Sequence, residues 1–184
     1  MNILAKLLFP LVLTVSVFLS EESTAAIPIA DLHTDQTKYI SAAALTRQSA
    51  LIVAGVADEK AIKSYHVDGR LYNFVQTVFV SRVFKGKNES VIQLLRPGIT
   101  PAPSTNNPLP IIYPGPLPNQ AEGYVLFLNP TADPAIYSVS GGWQGVYPVY
   151  GGKTVTLAGY GFAAMNGLDL DGVGKLVTRL GRVR

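Results

Sequence analysis

Cysteine is absent from all 184 residues of this chain. That excludes a disulfide framework, a thiolate zinc cage and the lipid-modified cysteine of a bacterial lipoprotein. Histidine is nearly missing, with His33 and His66 the two present, and Trp143 is the single tryptophan. Charged residues make up 15 % of the chain, and no internal repeat is evident. The acids at Asp58, Glu59, Glu89 and Glu122 fall at expected strand ends and loops, where carboxylates meet water instead of converging in a cleft. The reading is therefore of a chain with no catalytic set, no metal site and no cofactor.

Charge of one sign is concentrated in one place. Lys175, Arg179, Arg182 and Arg184 lie in residues 175–184, which contain no acid, and without them the chain from Ile27 onward is neutral. A neutral body with one basic end lacks the stripe that neutralises successive phosphates, so nucleic acid is not an expected partner.

Residues 1–26 read as a signal peptide: a short positive start through Lys6, the apolar run LLFPLVLTVSVFL (7–19), then EESTAA ending on small residues. The run is shorter than the ~20 residues of a spanning helix and contains Pro10, which argues against a permanent membrane anchor. Cleavage after Ala26 fits the small residues there, with Ser20 as the alternative because Glu21 and Glu22 stand unusually close. The expected location is secreted or periplasmic.

After a polar, flexible arm at 27–38, residues 39–184 read as one domain. Ser41 is placed to cap a short helix through Arg47. LIVAGVAD (51–58) reads as a strand buried on both faces, with Gly55 marking a bend or bulge. LYNFVQTVFVSRVFKG (71–86) is dense in aromatic and β-branched residues, and KGKNES turns it into VIQLLRPG (91–98). Residues 97–118 carry eight prolines and form a loop with polyproline II character. Strands resume at 123–130, 135–140 and 146–150, the last expected at an edge or bulge because of Pro148, with a Gly151-Gly152 turn into KTVTL. Val173, Leu176, Val177 and Leu180 at helical spacing, with Asp171 as cap, predict a closing helix. The fold class is mainly β, with about seven strands between two helices.

Taken in order, SALIVAGVAD, YNFVQTVFVSRVFKGK, GYVLFL and VSGGWQGVYPV resemble the netrin-like or tissue-inhibitor-of-metalloproteinase-like modules of exported bacterial proteins, over residues 50–150. The resemblance implies a small antiparallel OB-like barrel with a helix against it. The animal inhibitors of this class seat a free N-terminal cysteine on a catalytic zinc, and this chain has none, so only the architecture carries over.

Ser64, His66 and Asp68 alternate along one strand face, yet neighbours there stand roughly 7 Å apart, beyond hydrogen-bond reach. A solvated hairpin is the better account. Asp169 and Asp171 lack the further ligands of a calcium loop and suit helix capping. Two places suit a ligand. Tyr113, Pro114 and Pro116 form a docking strip, or a loop stiffened against proteolysis. Trp143, Gln144 and Tyr147 sit among paired glycines: an inward indole plugs a barrel mouth, whereas an outward one makes an aromatic face with Tyr150 and Tyr160. The habit of large aromatics to bury most of their area favours the plug. The expected role is an exported, non-catalytic binding or interaction module whose partner is an extracellular or envelope protein. The alternative is an extracellular protease inhibitor acting through its N-terminal arm or proline-rich loop.

Overall fold

The computed structural model describes residues 27–100 and 114–182. The signal-peptide reading of 1–26 therefore lies outside the described residues, as do Tyr113 and most of the proline-rich loop. Among the described residues no helix is long and apolar enough to cross a membrane.

Seven strands form one mixed sheet: β1 (Leu51–Asp68), β2 (Leu71–Lys85), β3 (Val91–Ile99), β4 (Gly123–Pro130), β5 (Ile136–Val139), β6 (Val146–Tyr150) and β7 (Lys153–Thr154). Two α-helices flank it in sequence, α1 (Ala42–Gln48) and α2 (Leu170–Arg182). The sheet order is β1-β2-β3-β5-β4-β6-β7, and β4 also pairs with β1. The pairings thus run β1, β2, β3, β5, β4 and back to β1. An odd circuit cannot alternate direction at every step, so one pair must run the same way. That pair is β3 with β5, in register Gln93↔Ile136 to Leu95↔Ser138, which corrects the expectation of an entirely antiparallel sheet.

Gly55 shows why β1 can serve both neighbours. The β1–β2 register shifts between Ala54 and Gly55, and a Cβ at Gly55 would stand 2.5 Å from the carbonyl oxygen of Phe79. Only a residue without a side chain lets the strands approach that closely. Residues Ile52 to Gly55 pair with β4 on one side and β2 on the other, Leu51 pairs with β4, and beyond Gly55 β1 pairs with β2 alone. Burial falls accordingly, from a continuous buried run at Leu51–Gly55 to an exposed turn at Gly69 and Arg70.

The two faces of β1 feed different cores. Ile52 and Ala54, with Val125, Phe127 and Tyr147, pack under Leu45 of α1 and Val173, Leu176 and Val177 of α2. Leu51 and Val53 point the other way, into a cluster with Val78, Ile92, Leu94, Leu126, Leu128 and Val146. Complete burial of each such aliphatic side chain contributes about 1.5–3 kcal/mol.

Both helices begin on side-chain caps. Ser41 Oγ accepts the amide hydrogen of Ala44 at 3.1 Å, as the sequence predicts. At α2 the cap is Asp169, not Asp171: Asp169 Oδ1 accepts from the Gly172 amide at 2.7 Å, whereas Asp171 pairs with Arg82 Nη1 at 2.6 Å. The helix starts two residues earlier than a cap at Asp171 implies. Replacing Asp169 by Ala should lower stability by about 1 kcal/mol through an orphaned amide. Asp171→Ala should leave the urea midpoint nearly unchanged, because its ion pair is exposed. Equal losses from both would reverse this assignment.

The segment 27–38, expected to be a flexible arm, is held against the sheet. Leu32 is 2 % exposed and packs with Val75, Leu95 and Ile136. Asn73 Nδ2 donates to the carbonyl oxygens of Ile29, Ala30 and Leu32 at 2.9, 3.3 and 3.0 Å. The segment is polar because its outer side meets water; Leu32, the backbone carbonyls and Asp35, which is bonded to Asn129 and Ser138, make the attachment.

Candidate functional site

The site grows from one residue of β3. Alternation along that strand puts Ile92, Leu94 and Arg96 on the same side, and all three are buried. Arg96 thus carries a guanidinium into a register otherwise filled by aliphatic side chains. It is 3 % exposed, and its Nε and Nη1 have no hydrogen-bond partner. Burial pushes its pKa down to about 10, and the charge interaction that opposes this comes from Tyr124, whose own pKa burial pushes up to about 12. At neutral pH the group is a buried cation facing a neutral phenol.

Above it lies Trp143. After β5, the glycines at 141 and 142 take positive φ values of 65° and 58°, and a short 3-10 turn over Gly142–Gly145 follows. This turn delivers the indole to the interior cluster, half-buried, with the Arg96 guanidinium 4.7 Å from its ring centre. Such a stacked cation contributes about 0.5–2 kcal/mol. The ring therefore leans inward, packed against the interior cluster.

Three further segments complete a small pocket of about 30 Å³, lined by Thr34 and Gln36 of the N-terminal segment, Arg96, Pro114, Val139 and Trp143 among others. Pro114 is placed by the return of the proline-rich stretch to the sheet. The Gly115 amide donates to the Pro97 carbonyl at 2.8 Å, and Gln76, fully buried, exchanges two hydrogen bonds with the Leu117 backbone. Thr34 and Gln36 are placed by the same attachment that fixes the N-terminal segment. Gln144 Oε1 accepts from the Tyr39 amide at 2.8 Å, and its Nε2 donates to the Tyr39 carbonyl at 2.9 Å. The Tyr39 hydroxyl and Asn129 Nδ2 donate to Asp35 Oδ2. Burial pushes the Asp35 carboxyl up, but hydrogen bonds from Thr37, Tyr39 and Asn129 outweigh it and hold the group below its ordinary value.

The sequence-predicted residues divide accordingly. Trp143 and Pro114 line the pocket. Pro116 is partly buried nearby without lining it, and Gln144 is occupied in fastening Tyr39. Tyr147 is 0 % exposed and belongs to the core under the helices, its ring 5.7 Å from that of Phe127, so it offers no face to a ligand. Tyr150 is exposed on the far end of β6. Arg96 is the residue that the sequence reading missed. Its signal was available as a charged side chain in phase with Ile92 and Leu94.

The remaining candidates serve local structure. His66 Nε2 lies 3.1 Å from the Gly69 carbonyl oxygen at the hairpin end, with Ser64, His66 and Asp68 all exposed. Glu122 accepts the amides of Gly151 and Gly152, and Glu59 accepts that of Asn119. Among the described residues no group of three or more metal-ligating side chains converges. No family model matches the chain, and neither curated proteins nor solved structures give a match.

Proposed function

We propose that this chain is an exported, non-catalytic binding module built on a small OB-like barrel, with the mouth around Trp143 as its contact surface. The circuit of pairings through β1, β2, β3, β5 and β4 supports the barrel, with β6 and β7 extending it and the helices packed outside. Export rests on the leader pattern of residues 1–26.

The observation that carries the binding role is the uncompensated Arg96 guanidinium beneath a half-buried tryptophan, at a place where three separate chain segments meet. A buried charge without hydrogen-bond partners costs several kcal/mol, so a fold that retains one has a use for it. The inhibitor alternative acts through the N-terminal arm or the proline-rich loop; the attachment of the arm through Asn73 and Leu32 weighs against the first route, and residues 101–113 of the loop lie outside the described residues.

Affinity capture from the exported protein fraction tests this reading. An extracellular or envelope protein should be retained by the purified protein and lost when Trp143 or Pro114 is replaced by Ala. Retention of nothing, or retention indifferent to both substitutions, would remove it.

A further inference from the structure

We propose that Arg96 and Trp143 form a receptor for a single carboxylate group. The proposal rests on the mouth being a binding site and names the chemistry that it takes.

Charge comes first. Arg96 remains cationic at neutral pH, and two of its nitrogens lack partners although the residue is buried. Water filling the pocket would satisfy donors but leave the charge uncompensated; an anion does both. Nearby acids are already committed elsewhere, Asp35 to Tyr39 and Asn129, and Glu59 to the Asn119 amide.

Size selects among anions. The pocket is small, about 30 Å³, which favours a compact anion. A flat carboxylate bearing one negative charge fits that space and matches one guanidinium. A phosphate carries more charge than one guanidinium balances. The walls are suited to a carbon stem behind the carboxylate: Leu95, Pro97, Pro114, Val139 and the ring of Trp143 are apolar, with Thr34 and Gln36 at the polar side. A carboxylate of this kind belongs either to a small organic acid or to the end of a peptide.

Trp143 is the sole tryptophan and stacks on the receptor group, so its emission reports occupancy directly. Sodium acetate should change that emission saturably beyond an equal concentration of sodium chloride, and acetamide should not. The acetate response should weaken at least tenfold in Arg96→Met, whose circular dichroism spectrum verifies the fold. A short acetylated peptide with a free C-terminus, compared with its amide, separates the two sources: tighter binding of the acid than of acetate assigns the chain end, and acetate alone assigns a small acid. An acetate response equal to that of chloride, or unaltered in Arg96→Met, would overturn the receptor and leave a hydrated arginine. The two proposals fail separately. A captured partner that is still held by Arg96→Met keeps the module and overturns the carboxylate site, whereas an acetate response in a protein that captures nothing keeps the site and removes the module.

Discussion

Replacing Arg96 by Met should stabilise the protein. The guanidinium is almost wholly desolvated, two of its nitrogens have no partner, and its compensation among the described contacts is the face of Trp143. Each unpaired buried donor costs about 1–3 kcal/mol, and the stacking returns about 0.5–2 kcal/mol. Methionine has a similar reach, fills irregular space and brings no charge. The expected gain is about 1–4 kcal/mol, a large share of the ~5–15 kcal/mol that holds a typical domain. In urea at pH 7 the midpoint should rise while the slope of the transition stays the same. A loss of more than about 1 kcal/mol would mean that the guanidinium is compensated in a way that these contacts do not contain. The gain should shrink when acetate is added, because a ligand that binds only the folded parent stabilises it by mass action.

That expected conflict between stability and site chemistry explains which parts of the molecule were legible in the sequence. Strands and helices are set by patterns extending over many residues: β4 covers Gly123–Pro130 as expected, Ser41 caps α1, and Gly55 marks a register shift, whereas β1 runs ten residues beyond the expected 51–58, to Asp68, and β7 ends at Thr154 and not at the end of KTVTL. The parallel β3–β5 pair was not legible, because strand direction in a closed circuit depends on the number of strands and not on any one of them. The N-terminal segment was misread for a related reason. Its attachment uses backbone carbonyls of Ile29, Ala30 and Leu32, which every sequence possesses, gathered by one distant asparagine.

The site was half legible. Trp143 stood out by rarity and by the glycines around it, and Pro114 by its place in the proline-rich stretch. Arg96 did not stand out, since an arginine before a proline at a strand end normally reaches solvent. Its phase with Ile92 and Leu94 was visible, but a charge in an apolar register breaks the local rule that makes a strand recognisable. Sites are where such breaks are expected. Tyr147 failed in the opposite sense. It lies four residues from Trp143, but on a strand whose inner face turns toward the helices, so proximity in sequence became separation across the sheet.

Tyr147 also provides the sharpest test of the core beneath the helices. Its hydroxyl accepts the Phe162 amide hydrogen at 3.1 Å, and burial pushes its pKa from 10.0 up to about 12, with that hydrogen bond pulling the other way. The unfolded chain therefore loses this proton first as pH rises. The stability that the neutral phenol contributes is complete below pH ~10 and is lost as the pH climbs through the folded pKa, by about 2–3 kcal/mol in all. Phenylalanine cannot ionise. Tyr147→Phe should cost about 1 kcal/mol at pH 8, where it leaves one amide without its partner, and should be the more stable protein by about 1 kcal/mol at pH 12. Tyr124 shifts in the same direction as Tyr147 and Arg96 in the opposite one, but both are common to parent and variant and cancel in the difference. Urea midpoints measured from pH 8 to 12 should therefore cross near pH ~11. A difference that stays constant over that range would mean that the phenol ionises alike in both states, and that Tyr147 is not sealed under α2 as its burial requires.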